Sequence, residues 1–250
     1  GDDLPRVGIF VMLEYAAGGD LIHRIKDAAG SITLFPWVER IQCALDIAQG
    51  MVYIHSEGFI HRDLKSLNIL CDKNNNCMIA DLGLTCSNVR PPAIELDNDY
   101  ENDGETKVYS SVQFNKHVPI ANDSNFNTSW KGTAAWMAPE VMRNNYGFPA
   151  DVYSFGMILY ELVTCRVPWS NAGYAFTHHI MQAVLRGERP EVTESDLINA
   201  PEDFLNLMQQ CWQTDPKERP TFEAIVVALK EITKNQQLPT TRTYQVVPVE

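Results

Sequence analysis

The chain has 250 residues, 45% of them apolar and 21% charged, which excludes a collagen-like, fibrous or wholly disordered polypeptide. A chain of this size can bury roughly 73% of its unfolded surface, enough for a core that needs no disulfide staples. The net charge of −12, from 20 basic and 32 acidic residues, repels phosphate backbones and anionic lipid, so nucleic-acid and membrane-surface roles are disfavoured.

Taken in chain order, residues 7–13 form a short apolar run that reads as a strand, broken by Ala17-Gly18-Gly19. Asp20 is placed to cap a helix reaching Ala28, with Leu21, Ile22 and Ile25 on one face. A longer helix is predicted over 36–56, where Ile41, Leu45, Ala48 and Val52 recur at spacings of three and four, and Gly58 stops it. Residues 60–70 follow neither period and read as a structured loop. Asn74-Asn75-Asn76 then turns a small hairpin between Ile69-Leu70-Cys71 and Met78-Ile79-Ala80.

From about 88 to 129 the texture changes to an Asn-rich stretch with seven acidic and three basic residues, opened by Pro91-Pro92. Such a length without periodicity belongs to a functional or disordered loop, and it reads here as a solvated one. Helical patterns resume over 150–165, 174–186, 202–212 and 221–233, separated by proline-containing turns, and residues 236–250 form a polar tail. The apolar run over 152–163 is interrupted by Ser154 and Glu161, so it reads as a buried helix and not a membrane span. The six cysteines contain no Cys-x-x-Cys pair and read as reduced thiols, consistent with an intracellular, cytoplasmic protein. His178-His179 is not read as a metal site, because neighbours on a helix are expected to point apart.

Four stretches carry chemistry: His61-Arg62-Asp63-Leu64-Lys65-Ser66-Leu67-Asn68; Asp81-Leu82-Gly83; Gly132-Thr133 through Ala138-Pro139-Glu140; and Asp151-Val152-Tyr153-Ser154-Phe155-Gly156, followed later by Arg219. Together they suit phosphoryl transfer, which needs positioning and charge neutralisation more than covalent help. Asp63 can orient a nucleophilic hydroxyl and take its proton. Asn68 and Asp81 offer an amide oxygen and a carboxylate to the Mg²⁺ of ATP. Lys65, two residues from Asp63, can meet the transferring phosphoryl group.

In order and spacing these stretches resemble the eukaryotic protein kinases, over about residues 7–233. The resemblance implies an α+β, protein-kinase-like fold: a mostly helical C-terminal lobe with a short β remnant of the N-terminal lobe. It implies ATP and Mg²⁺ as cofactors and a protein as substrate. Leu13 would then be the gatekeeper, Glu14 and Ala16 the hinge contacts to adenine, Asp20 the ribose contact and Leu70 the floor of the adenine pocket. Glu140 and Arg219 would form a buried ion pair, and Asp151 would hold the His61-Arg62 backbone. Arg62 would meet a phosphorylated Thr128 or Ser129, with Thr133 a further regulatory position. Lys65 and Gly132-Thr133 favour serine/threonine over tyrosine specificity, and Trp136-Met137 with Cys211-Trp212 resembles the tyrosine-kinase-like group.

Leu82 replaces the family's usual Phe and would keep an apolar plug. Residues 81–140 span 60 positions, about double the family's usual length, and the excess is the acidic stretch. The 60 residues before His61 hold no glycine-rich loop, and Lys26 is their only lysine, on the wrong side of the hinge. Residues 1–235 are therefore expected to be a truncated kinase domain, part of a larger or membrane-attached parent, weak in ATP binding and inactive alone. The alternative is a kinase-like fragment that no longer catalyses and acts as a protein-binding module.

Overall fold

The structure is a computed structural model and describes residues 14–28, 33–87, 134–143, 146–174, 176–198 and 200–235. The most apolar run of the chain becomes its most deeply buried helix, here α3 (Phe148–Thr164), in which fourteen of seventeen residues are buried. A helix apolar on every side has to be enclosed by others. It starts with Pro149 in the first turn, where a missing amide leaves no hydrogen bond unmade, and ends at Cys165 in the left-handed conformation (φ 52°).

Six further helices are described: α1 (Leu21–Ala28), α2 (Trp37–Ser56), α4 (Thr177–Leu185), α5 (Glu194–Leu197), α6 (Glu202–Cys211) and α7 (Phe222–Asn235). Helix α2 lies along α7, and α3 lies against α6, so the two longest helices each bring a partner to a single core. Close approach of α3 and α6 depends on Gly156. A Cβ added there would stand 3.1 Å from Cys211 Cβ and 3.1 Å from the Trp212 amide nitrogen. Tyr153, Phe155, Phe204 and Phe222 are fully buried, each worth about 1.5–3 kcal/mol of transfer free energy.

Among the described residues the β structure consists of two small antiparallel ladders. Strand β1 (Phe59–Ile60) pairs with β4 (Cys86–Ser87), and β2 (Ile69–Cys71) pairs with β3 (Cys77–Ile79) in the register Ile69↔Ile79, Leu70↔Met78, Cys71↔Cys77. Among the described residues the fold is thus helix-rich α+β with few strands, as the resemblance implies.

Three local features differ from the sequence reading. Helix α4 starts at Thr177 and not near 174, because Gly173 takes a left-handed φ of 65° and Phe176 stays extended. The short α5 was not predicted, although Thr193 and Asp196 form a reciprocal capping box at its start. The His178 and His179 rings do not diverge: their centroids are 4.1 Å apart, drawn together because both pack on Phe176. Among the described residues no group of metal-ligating side chains is gathered there or elsewhere, and no helix is long and apolar enough to cross a membrane. The predicted strand over 7–13, the acidic stretch and the polar tail lie outside the described residues.

Candidate active site

The segment between β1 and β2 is held from beneath by α3. Asp151, in the first turn of that helix, accepts the backbone amides of His61 (2.8 Å) and Arg62 (2.9 Å) and the Nε2 of His55 (2.9 Å). A carboxylate is favoured at a helix N-terminus, and three donors satisfy it in a site closed to water. The anchorage lets Arg62 sit at a left-handed φ of 71°, with its guanidinium 4.2 Å above the Tyr146 ring. His61 reaches across to the carbonyl of Ala80 (3.2 Å), tying this loop to the segment that carries Asp81.

Asp63 is buried. Its Oδ2 accepts Lys65 Nζ (2.7 Å) and Asn68 Nδ2 (3.0 Å), while its Oδ1 is buried without a partner among the described residues. An orphan carboxylate oxygen costs free energy unless a further donor completes it, and a substrate hydroxyl is such a donor. Asn68 spends its amide hydrogens on Asp63, including the Asp63 carbonyl at 2.8 Å, which turns its oxygen away from that contact.

The hairpin brings Asn68 toward Asp81. The Ala80 amide bonds the Asn68 carbonyl (2.8 Å), so the residue after Ala80 follows directly beside the start of β2. Asp81 itself is exposed and left-handed (φ 59°), with Oδ1 receiving the Gly83 amide at 3.3 Å. A carboxylate and an amide oxygen at one end of a hairpin are the hard oxygen donors that Mg²⁺ takes, in the small number it uses when phosphates and water complete the shell. The residues present therefore fit that ion.

Residues 18–20 dock on the other edge of β2. Gly18 donates to the Cys71 carbonyl (2.8 Å), Cys71 donates to the Gly19 carbonyl (2.7 Å), and Asp20 bridges to Leu70. A side chain at residue 18 would collide with backbone, its Cβ 2.6 Å from the Asp72 carbonyl oxygen. Glu14 is exposed, while Ala16 and Leu70 are half-buried. Asp20 caps α1, accepting the His23 amide at 2.9 Å, so part of its hydrogen-bonding capacity is already used. Leu13, Thr128, Ser129 and Thr133 lie outside the described residues.

Glu140 and Arg219 meet as a bidentate pair at 2.6 and 2.9 Å. The remaining guanidinium hydrogens go to the carbonyls of Pro149, Gln213 and Thr214, so all five N–H groups are satisfied. Two features escaped the sequence reading. Leu82 is not a buried plug: it is 56% exposed on the one-turn 3-10 helix that follows Asp81. Glu161 is more than an interruption of an apolar helix. Fully buried, it accepts Ser66 Oγ (2.8 Å) and Trp136 Nε1 (2.9 Å), and so joins the Asp63 loop to the stretch leading to Glu140. Burial pushes its carboxyl up to about 8, against the opposing pull of those two donors. The signal was a lone acid in a run of apolar helix.

A family model described as protein kinase domain matches residues 6–229. Among curated relatives, a probable serine/threonine-protein kinase of Dictyostelium discoideum is 31% identical over 235 residues, covering 91% of this chain and 13% of that protein. Mitogen-activated protein kinase kinase kinase 7 of Bos taurus is 33% identical over 224 residues, covering 87% of this chain and 31% of the relative. Tyrosine-protein kinase FRK of Homo sapiens is 30% identical over 219 residues, covering 87% and 36%. The chain thus spans between about an eighth and a third of the length of these relatives.

Proposed function

The chain belongs to the protein kinase domain family, and from that premise we propose that the full-length protein carrying it is an intracellular serine/threonine kinase that transfers the γ-phosphate of ATP to a protein hydroxyl. The observation that carries the reading is the state of Asp63. One of its oxygens is fixed by Lys65 and Asn68, and the other is buried and left for an incoming donor.

In this reading the substrate hydroxyl donates to Asp63 Oδ1, which orients the oxygen and takes its proton as the bond to phosphorus forms. Lys65, held against Asp63, faces the charge that develops on the transferred group. Asn68 and Asp81 would hold Mg²⁺, which when bound neutralises charge on the phosphates of ATP. Glu14, Ala16, Asp20 and Leu70 would line the nucleotide site, with Leu13 beside the adenine. Arg62 would receive a phosphate on Thr128 or Ser129, and Thr133 would complete that regulatory set. Asp151 and the Glu140–Arg219 pair fix the frame on which these residues stand. Since residues 1–250 contain no glycine-rich loop, a polypeptide of these residues alone is expected to bind ATP more weakly than micromolar.

Lys65 and the serine/threonine kinases among the relatives support phosphoryl transfer to serine and threonine hydroxyls, while the match to a tyrosine kinase makes this the point to test. The full-length protein, given labelled ATP, Mg²⁺ and a generic protein substrate, should yield phosphoserine and phosphothreonine on acid hydrolysis. Phosphotyrosine alone would overturn the specificity, and no label at all would overturn the activity.

A further inference from the structure

Three thiols meet where the β2–β3 hairpin packs on α2. Cys43 comes from α2, Cys71 from β2 and Cys77 from β3, and all three are free and buried. Cys71 and Cys77 stand directly opposite each other in register, with their sulfurs 4.0 Å apart.

The backbone around the pair is oriented for a cross-strand bond. The amide and carbonyl of Cys71 are bonded outward, to Gly19 and Gly18, and the Cys77 amide is bonded to Asp46 Oδ2 at 2.9 Å. Neither residue exchanges backbone hydrogen bonds with the other. This makes them a non-hydrogen-bonded antiparallel pair, whose Cα atoms stand about 4.5 Å apart. Disulfides span Cα separations of about 4.4–6.8 Å, so side-chain rotation alone can close the gap between the sulfurs.

The two thiols also differ in character. The hydrogen bond from Cys77 holds the Cys71 thiol down to about 7; burial opposes this, and the Arg24 guanidinium adds to the lowering. Hydrogen bonds with Cys43 and Cys71, together with burial, raise the Cys77 thiol well above the usual range. One sulfur is therefore favoured as thiolate and its neighbour as the proton-bearing partner, the division of labour that a nucleophilic and a resolving thiol require.

We propose that Cys71 and Cys77 are a peroxide-oxidisable pair that closes into a disulfide across the hairpin. The oxidant is hydrogen peroxide. The Cys71 thiolate attacks its terminal oxygen, the O–O bond breaks, and the leaving hydroxide takes a proton to become water, which leaves Cys71 as a sulfenic acid. The Cys77 sulfur then attacks the Cys71 sulfur. The S–O bond breaks, the hydroxyl departs as water with the Cys77 proton, and the S–S bond remains. With hydrogen peroxide, two thiols and one peroxide give one disulfide and two waters, a two-electron oxidation.

Burial of both sulfurs sets the pace. The oxidant reaches them when the hairpin opens, and two three-residue strands with an exposed tip at Lys73, Asn74 and Asn75 make a weak ladder. The bond would lock the strand that carries Leu70 and that docks the Gly18-Gly19 segment.

The test does not depend on kinase activity. The full-length protein is treated with hydrogen peroxide at neutral pH, quenched with N-ethylmaleimide under denaturing conditions and digested with trypsin. Cleavage after Lys65, Lys73 and Lys107 puts Cys71 and Cys77 on different peptides, with Cys86 on the same peptide as Cys77. The expected result is a disulfide joining peptides 66–73 and 74–107, which fragmentation of the wild-type species assigns to Cys77. It should be lost completely in Cys77→Ser, where dimedone traps the sulfenic acid on Cys71, and be retained in Cys86→Ser. The proposal is overturned if Cys71 and Cys77 stay alkylated while the less buried Cys86 is consumed. A bridge mapped to Cys86 or to Cys43 would overturn it equally.

Discussion

Replacing Arg219 by lysine isolates what the guanidinium geometry contributes to the fold. The charge is retained, but lysine has three N–H groups where Arg219 uses five, spread over Glu140, Pro149, Gln213 and Thr214. At least two hydrogen bonds from a charged donor are lost, each about 1.5–3 kcal/mol, and part-buried carbonyls on two separate segments lose their donor. The expected destabilisation is about 3–5 kcal/mol, the sum of two such hydrogen bonds. Tryptophan fluorescence during urea unfolding reads this directly. With a slope of about 3 kcal/mol per molar, the midpoint of Arg219→Lys should fall by about 1 M or more. A shift within about 0.5 kcal/mol of wild type, the span of ordinary surface substitutions, would refute the view that the five-bonded guanidinium clamps the Glu140 stretch onto the helical core.

Glu161 predicts a pH dependence. Its carboxyl is held near 8 in the folded protein against an ordinary value of 4.5, so the folded state binds the extra proton between those values. Stability from this group is fully present below about 4.5 and is lost as pH rises through about 8, on the order of 5 kcal/mol in all. Urea midpoints measured from pH 5 to 9 should fall in wild type and flatten in Glu161→Gln; parallel profiles would contradict the assignment. Gly156→Ala should cost about 1–3 kcal/mol by forcing α3 away from Cys211 and Trp212, and an unchanged melting temperature would show that the helices can yield there. Gly18→Ala should lower the unfolding midpoint at least as much and also weaken binding of an ATP analogue to the full-length protein, because its Cβ would stand 2.6 Å from the Asp72 carbonyl oxygen and 2.8 Å from that of Cys71; an unchanged midpoint would show that this segment can yield.

Much of this was written in the sequence because it is local. The period of three and four residues over α2 and the apolar run of α3 each determine one helix, and Asn74-Asn75-Asn76 turns one hairpin. The residues around Asp63 were legible through their fixed spacing within one loop. Contacts between distant segments were legible only where the family resemblance supplied them, as for Glu140 with Arg219 and Asp151 with the His61-Arg62 backbone; the others were not. The β1–β4 ladder joins two pairs of residues that lie 26 or more positions apart, with no pattern in either. Glu161 meets Ser66 and Trp136 only after α3 has been enclosed, and a lone acid in an apolar helix shows that a partner is needed without showing which. The Cys71–Cys77 contact follows from register, which the hairpin turn sets but composition does not. Exposure of Leu82 depends on what surrounds it, and a motif match carries no information on that.

The most direct test of the function is phosphoryl transfer by full-length protein with Asp63→Asn beside wild type, in ATP and Mg²⁺ with a protein substrate. Asparagine keeps the shape of Asp63 but cannot take the hydroxyl proton. The variant should therefore label substrate at least about 100-fold more slowly while unfolding at a similar urea concentration. Equal labelling by the two proteins would contradict the role given to Asp63 and, with it, the assignment of this site as the seat of catalysis.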